Sequence, residues 1–246
     1  MDKRYDAKRS SNRTERSEKL TELTAMGLPE ALAKAVASGS LPLNEALEQM
    51  AQAAHVERII AKHDLARSVA MQVAMGQMDL DLLLRRRRLK EHVAKDRDRT
   101  CLTQGRRLAL ATQEGVRVIG TVRTVTAYEL DVEDAEGVVH HYHKLDLRYA
   151  YSPDDWKRVR KGLTYGRGSG QVEIGPRKKP QHRYNCSNAL LFQYMEDQQV
   201  LRVGLLGGEE LTGVVTWFGQ YEFGLGLRSE VEVTVFRHAL TAVDAQ

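Results

Sequence analysis

From Val200 to Val243 the chain reads as a series of short β-rich runs cut by glycines and charged breaks. The runs are Val200–Leu206, Leu211–Phe218, Tyr221–Leu227, Val231–Phe236 and Leu240–Val243. Val, Leu, Phe, Tyr and Thr dominate them, and Gly207-Gly208 is a hairpin signal. Runs this short and this closely spaced leave little choice of architecture: five strands of a small barrel or a strongly bent sheet. Gly213 and Gly219 fall inside or beside strands, where a missing side chain permits a sharp bend or a close backbone approach.

The same pattern occurs earlier. Leu108 to Tyr149 aligns with the C-terminal stretch without a gap, at an offset of 93 residues. Gly115 pairs with Gly208, Gly120 with Gly213, Val122 with Val215, Tyr128 with Tyr221 and Glu129 with Glu222. Leu108 with Leu201 and Leu147 with Leu240 complete seven identities, and they fall on the turn glycine, the strand-bend glycine and an aromatic-acid pair. Two β modules in tandem follow.

Phe236-Arg237-His238-Ala239-Leu240 carries a resemblance. An aromatic, a basic residue, His, Ala and an aliphatic residue at the end of the strand set resemble the Sm-like family, most closely its Hfq branch of bacterial RNA chaperones. Gln220-Tyr221 matches the family's Gln-aromatic pair at the third strand, and Gly208–Gly213 resembles its entry into the second strand. The resemblance covers about residues 188–242. It implies a pocket for single-stranded RNA lined by Gln220, Tyr221, Arg237 and His238. The tyrosine stacks on a base, the glutamine bonds its edge, and the Arg-His pair contacts base or phosphate. In the first module Tyr128 and Lys144 keep two of these positions, while Ala127 replaces Gln220 and Leu145 replaces His238. That pocket is expected to be incomplete. The family also pairs strand edges between subunits. The expectation is therefore self-association through the last strand of a module, Leu240–Val243 or Leu145–Tyr149; the two modules of a chain could pair with each other, or three chains could build a six-module ring.

Before the modules, residues 19–100 form a region of another kind, rich in Ala, Leu and Met and suited to helices. Ala33–Gly39 is echoed by Ala70–Gly76 at an offset of 37, and Leu41-Pro42-Leu43 by Met78-Asp79-Leu80. Each copy reads as a helix stopped at glycine, a short turn and a second helix started by Pro42 or Asn44, or by Asp79. Two helical hairpins that bury their apolar faces against each other are expected. The second runs into Arg85, Arg86, Arg87 and Arg88, a solvated helix end or a phosphate-contacting segment.

The expected organisation is α+β: a disordered tail at 1–18, an α-helical domain at 19–100, a first Sm-like module at 101–150, a basic linker at 151–187 and a second Sm-like module at 188–246. Each module is expected as a small, strongly bent, five-stranded antiparallel β-barrel. The linker holds many Lys and Arg residues, with Gly166-Arg167-Gly168-Ser169-Gly170 in its middle and Tyr165 and Tyr184 interleaved. Such a segment suits a single strand.

Charge works against a simple RNA-binding second module. From Tyr194 to Gln246 there are three basic residues and eight acidic ones, a balance of −5. The whole chain is +4, so cations must come from elsewhere in it. His141 and His143 share a strand face, but no third ligand lies nearby and a closed zinc site needs four. No metal or other cofactor is expected. No nucleophile elbow, Walker loop, His-Glu-x-x-His or CxxC occurs, so a non-enzyme is expected. Two cysteines, no apolar run of membrane-spanning length and no apolar core near Met1 point to a cytoplasmic protein with no membrane partner. The alternative to RNA binding is a non-catalytic assembly scaffold whose helical domain recruits a protein partner.

Overall fold

The computed structural model describes residues 15–165 and 183–246. The expected tail over 1–14 and the glycine cluster 166–170 lie outside them. The chain divides into two units, Met1–Arg85 and Arg86–Gln246.

The first unit is helical. The described part of α1 covers residues 15–25, so helix has begun by Glu15, within the stretch expected to be tail. α2 (Glu30–Ala37), α3 (Leu43–His63), α4 (Arg67–Ala74) and the start of α5 (Leu80–Asp96) follow. α2 and α4 begin and end 37 residues apart, as α3 and α5 begin. Gly39 and Gly76 both take positive φ, 77° and 69°, the left-handed stop that a side chain would resist. Pro42 stands at the N-cap position of α3, and Asp79 accepts the Leu82 N–H at 3.1 Å ahead of α5. Leu23, Leu28, Ala33, Val36 and Ala46 form one small core. Val56, Ile59 and Ala70 form the other, with α3 contributing to both.

The second unit is built on one antiparallel sheet of eleven strands. The first β repeat supplies β1 (Arg107–Thr112), β2 (Arg117–Val125), β3 (Glu129–Glu133), β4 (Val139–His143) and β5 (Leu147–Tyr151). α6 (Trp156–Gly162), β6 (Leu163–Tyr165) and α7 (Asn188–Glu196) come next. The second repeat supplies β7 (Val200–Leu205), β8 (Glu209–Phe218), β9 (Glu222–Leu227), β10 (Glu232–Phe236) and β11 (Leu240–Ala245). Strand bounds in the two repeats agree within two residues at the offset of 93, and a 3-10 turn precedes the last strand of each, Lys144–Asp146 and Arg237–Ala239.

The strand order is β11-β7-β8-β9-β10-β5-β1-β2-β3-β4, with β6 pairing the start of β8. Each repeat therefore has its last strand beside its first and its fourth at the far side. In neither does the fourth strand pair with the fifth of the same repeat. The described strands form one continuous sheet, where two small five-stranded barrels, able to pair with each other within a chain, were expected. The join is β10 beside β5, Thr234 opposite Ala150 and Val235 opposite Tyr149. It covers the Leu145–Tyr149 edge, one of the two edges expected to associate.

Both repeats bend their second strand in the same place. Register shifts fall between Val122 and Thr124 and between Val215 and Trp217, and a bulge of this kind curves the strand. At Gly213 an added Cβ would lie 2.4 Å from the Gly226 carbonyl oxygen, so only glycine permits this approach.

The cores cross the join. The larger contains β7–β11 residues such as Leu201, Leu211, Phe223 and Val233 together with Ala109, Ala111, Tyr149 and Tyr151 of the first repeat. The smaller takes Phe236 of β10 among Leu108, Leu110, Leu130 and Leu147. Two of the expected boundaries move as a result. Leu89 and Val93 on the second half of α5 pack on the larger core, so that half belongs with the sheet and not with the helical hairpins. Residues 151–165, expected as linker, end β5 and form α6 and β6, with Val159 fully buried. Among the described residues no helix is long and apolar enough to cross a membrane.

Candidate nucleic-acid interface

β8 ends in Trp217-Phe218, both buried, and the chain turns through Gly219, Gln220 and Tyr221 into β9. The Gly219 N–H donates to the Glu222 carbonyl at 2.8 Å and closes the turn. The Arg237 N–H donates to the Tyr221 carbonyl at 2.9 Å and ties it to the 3-10 turn after β10. Gln220, Tyr221, Arg237 and His238, far apart in sequence, thus sit on two adjoining turns. The first repeat builds the same pair of turns: Thr126 N–H to Glu129 carbonyl at 3.0 Å, and Lys144 N–H to Tyr128 carbonyl at 2.7 Å.

The side chains differ in what they present. Tyr221 is 64% exposed and Gln220 is exposed, so a flat ring projects from a turn fixed on both sides. Arg237 is half-buried, its guanidinium 5.8 Å from the Phe218 ring centroid, and its Nε and Nη2 are buried without a hydrogen-bond partner. Burial pulls its pKa below the usual arginine range. His238 is 8% exposed, and its Nε2 donates to the Leu147 carbonyl at 2.7 Å. Burial pushes its pKa down to about 4, so the ring is a neutral donor at neutral pH and belongs to the frame below the turn.

In the first repeat Tyr128 is 70% exposed and stacks on His143, centroids 6.5 Å apart and planes within 11°. Lys144 turns its Nζ inward to the Thr126 carbonyl at 2.6 Å, and burial lowers its pKa. Thr126 stands where the second repeat has Gly219, and its Oγ1 accepts the Glu129 N–H at 3.0 Å. The side chains of Lys144 and Thr126 are thus spent within the protein.

The four arginines of α5 are spread around the helix. Arg88 makes a two-pronged pair with Glu196 of α7, at 2.6 and 3.2 Å, and Arg87 pairs with Glu91 at 3.1 Å. Arg86 is exposed and Arg85 half-buried. On β4, His140 meets Asp134 at 2.7 Å and His141 meets Asp131 at 2.6 Å, which raises the His141 pKa. No group of three or more His, Cys, Asp or Glu among the described residues is placed to hold a metal.

The sequence reading missed one segment at this site, the connection from α5 to β1. The Gln220 N–H donates to the Arg97 carbonyl at 3.0 Å, and the Arg99 guanidinium lies 4.8 Å from the Trp217 ring centroid. The only sequence signal was Gly219, a glycine that the strand pattern did not require. Comparison with protein-family models and with characterised proteins finds no match to this chain.

Proposed function

We propose that the two β repeats are tandem Sm-like modules and that the protein is a non-catalytic, RNA-binding protein of the RNA-chaperone kind. Single-stranded RNA binds at the Gln220–Tyr221 turn of the second repeat. The Arg237 N–H···O=C Tyr221 bond carries the reading, because it joins the exposed aromatic and the glutamine to an arginine whose buried Nε and Nη2 lack partners and would gain them when a ligand draws the guanidinium outward. An exposed ring on a rigid turn is what base stacking requires, and a partly desolvated guanidinium gains more from a phosphate or base acceptor than a hydrated one. The shared strand order, bend glycine and 3-10 turn of the repeats support the Sm-like assignment. The scaffold reading is supported by a different observation, the pairing of β10 with β5, which uses a module edge for assembly. The two are compatible.

The experiment is titration of a labelled, unstructured oligoribonucleotide with Tyr221→Ala and Tyr128→Ala, each checked by thermal melting. Tyr221→Ala is expected to lose the stacking contribution, about 1–3 kcal/mol, and Tyr128→Ala much less. A folded Tyr221→Ala protein with unchanged affinity would remove the site.

A further inference from the structure

The Tyr221 turn is short of cations within its own repeat. Of the three basic residues after Tyr194, Arg202 pairs with Asp244 at 3.3 Å, Arg228 follows β9 at its other end, and Arg237 alone stands at the turn. A strand of RNA cannot stack there against a net charge of −5 without more positive charge close by.

The connection leaving α5 brings that charge. Its backbone is seated on the turn: besides the Gln220–Arg97 bond, three carbonyl oxygens converge on Gly219. A Cβ at Gly219 would lie 2.5 Å from the Arg99 oxygen and 3.4 Å from those of Arg97 and Asp96, so glycine is what admits the segment. Arg97 and Arg99 are both exposed. Arg99 lies over Trp217 and Arg237 over Phe218, and consecutive strand residues face opposite sides. Guanidinium groups therefore flank the end of β8 on both faces, and Tyr221 stands in the turn that follows. Asp96 Oδ1 is 3.9 Å from Arg99 Nη1, a long pair that leaves donors for a ligand. Thr126 replaces Gly219 in the first repeat, and its Oγ1 accepts the Glu129 N–H at 3.0 Å there.

We propose that Arg97 and Arg99, carried by the α5–β1 connection, are the phosphate-binding rim of the Tyr221 site, completing with Arg237 a path for the backbone of single-stranded RNA. This rests on the RNA reading above. The test compares wild type, Arg97→Gln/Arg99→Gln, Arg97→Lys/Arg99→Lys and Tyr221→Ala, with the labelled oligoribonucleotide over a range of salt. Each phosphate contact to a single strand contributes about 0.7 to the slope of log K against log salt, so the double Gln variant is expected to flatten it by about 1.4. The double Lys variant keeps charge without the Arg99–Trp217 geometry and is expected to retain the slope. Tyr221→Ala is expected to weaken binding at an unchanged slope. A wild-type slope in the double Gln variant would overturn the rim while the RNA reading stands. Loss of slope in the Lys variant as well would mean that the segment is only packing, and overturns it too. No binding by the wild type at low salt would remove both.

Discussion

At His238 the hydrogen bond to Leu147 joins residues 91 apart in sequence and fixes the ring's protonation. Burial lowers its pKa from 6.5 to about 4, so as pH falls the unfolded chain takes up a proton before the folded one does. The resulting stability is complete above pH 6.5 and is lost as pH falls towards about 4. Taken alone, this loss is about 2–3 kcal/mol between about pH 7.5 and about pH 4.5. His238→Gln keeps a donor for the Leu147 carbonyl and cannot titrate in this range. Urea midpoints at the two pH values should therefore fall less steeply for the variant, whatever the carboxylates add to both proteins. Parallel acid losses would show that His238 is protonated in the folded state. Gln220 ahead of the third strand of the repeat was legible from Gly219, but Tyr221 was expected as the first residue of that strand and stands in the turn before β9, which begins at Glu222. The burial of His238 was not legible. The resemblance set it beside Arg237 as a ligand, and nothing local reveals that a carbonyl from the other repeat reaches its ring.

Among the elements, the contact between β5 and the start of β8 holds a buried ion pair. Arg148 and Glu209 meet at 2.5 Å with their side chains 4% and 5% exposed, and a Cβ on Gly207 would overlap the Arg148 guanidinium. Removing one partner from such a pair leaves the other charge buried and unpaired. Glu209→Ala is therefore expected to cost about 3–5 kcal/mol in chemical denaturation. Arg148→Met combined with Glu209→Leu should recover most of it. A Glu209→Ala protein within about 1 kcal/mol of wild type would mean that water or another group replaces the carboxylate. Both repeat lengths were legible in the sequence, because turn glycines and the flanking apolar residues recur at 37 and 93. That the two modules could pair with each other was legible as well, but which elements tie one repeat to the other was not. Strand pairing over long separations leaves no periodicity, which hid β10 beside β5. On α5 the arginine run masked Leu89 and Val93, and in residues 151–165 frequent Lys and Arg hid the apolar Trp156, Val159 and Leu163 that pack on the sheet's core.

The join of β10 to β5 unites two different edges, the fourth strand of one repeat and the last strand of the other. The same two kinds of edge stand at the ends of the described sheet, β4 and β11. A contact that joins unlike edges leaves one of each without a strand partner among the described residues, although the Tyr184 hydroxyl reaches the Val243 carbonyl at 3.4 Å, so a second copy of the chain is expected to meet each edge with its complement. The internal register sets the external one. Thr234 opposite Ala150 and Val235 opposite Tyr149 become, at the offset of 93, His141 opposite Val243 and Tyr142 opposite Ala242. The positions of Glu209 and Arg148 become Val116 and Thr241, so no buried ion pair has to form. Val116 and Val139 are 53% and 56% exposed, apolar surface that such pairing would cover. The expected outcome is head-to-tail self-association at micromolar concentration, seen as a mass above one chain by light scattering. Thr241→Lys places a charge on the exposed β11 edge and should return the protein to a single chain without lowering its melting temperature. Mixing a Tyr142→Cys chain with an Ala242→Cys chain should give a disulfide-linked pair that neither forms alone, because both native cysteines are buried. A wild-type mass of one chain at these concentrations would defeat the association. An associated protein that ignores Thr241→Lys and gives no cross-link would mean that the copies meet elsewhere.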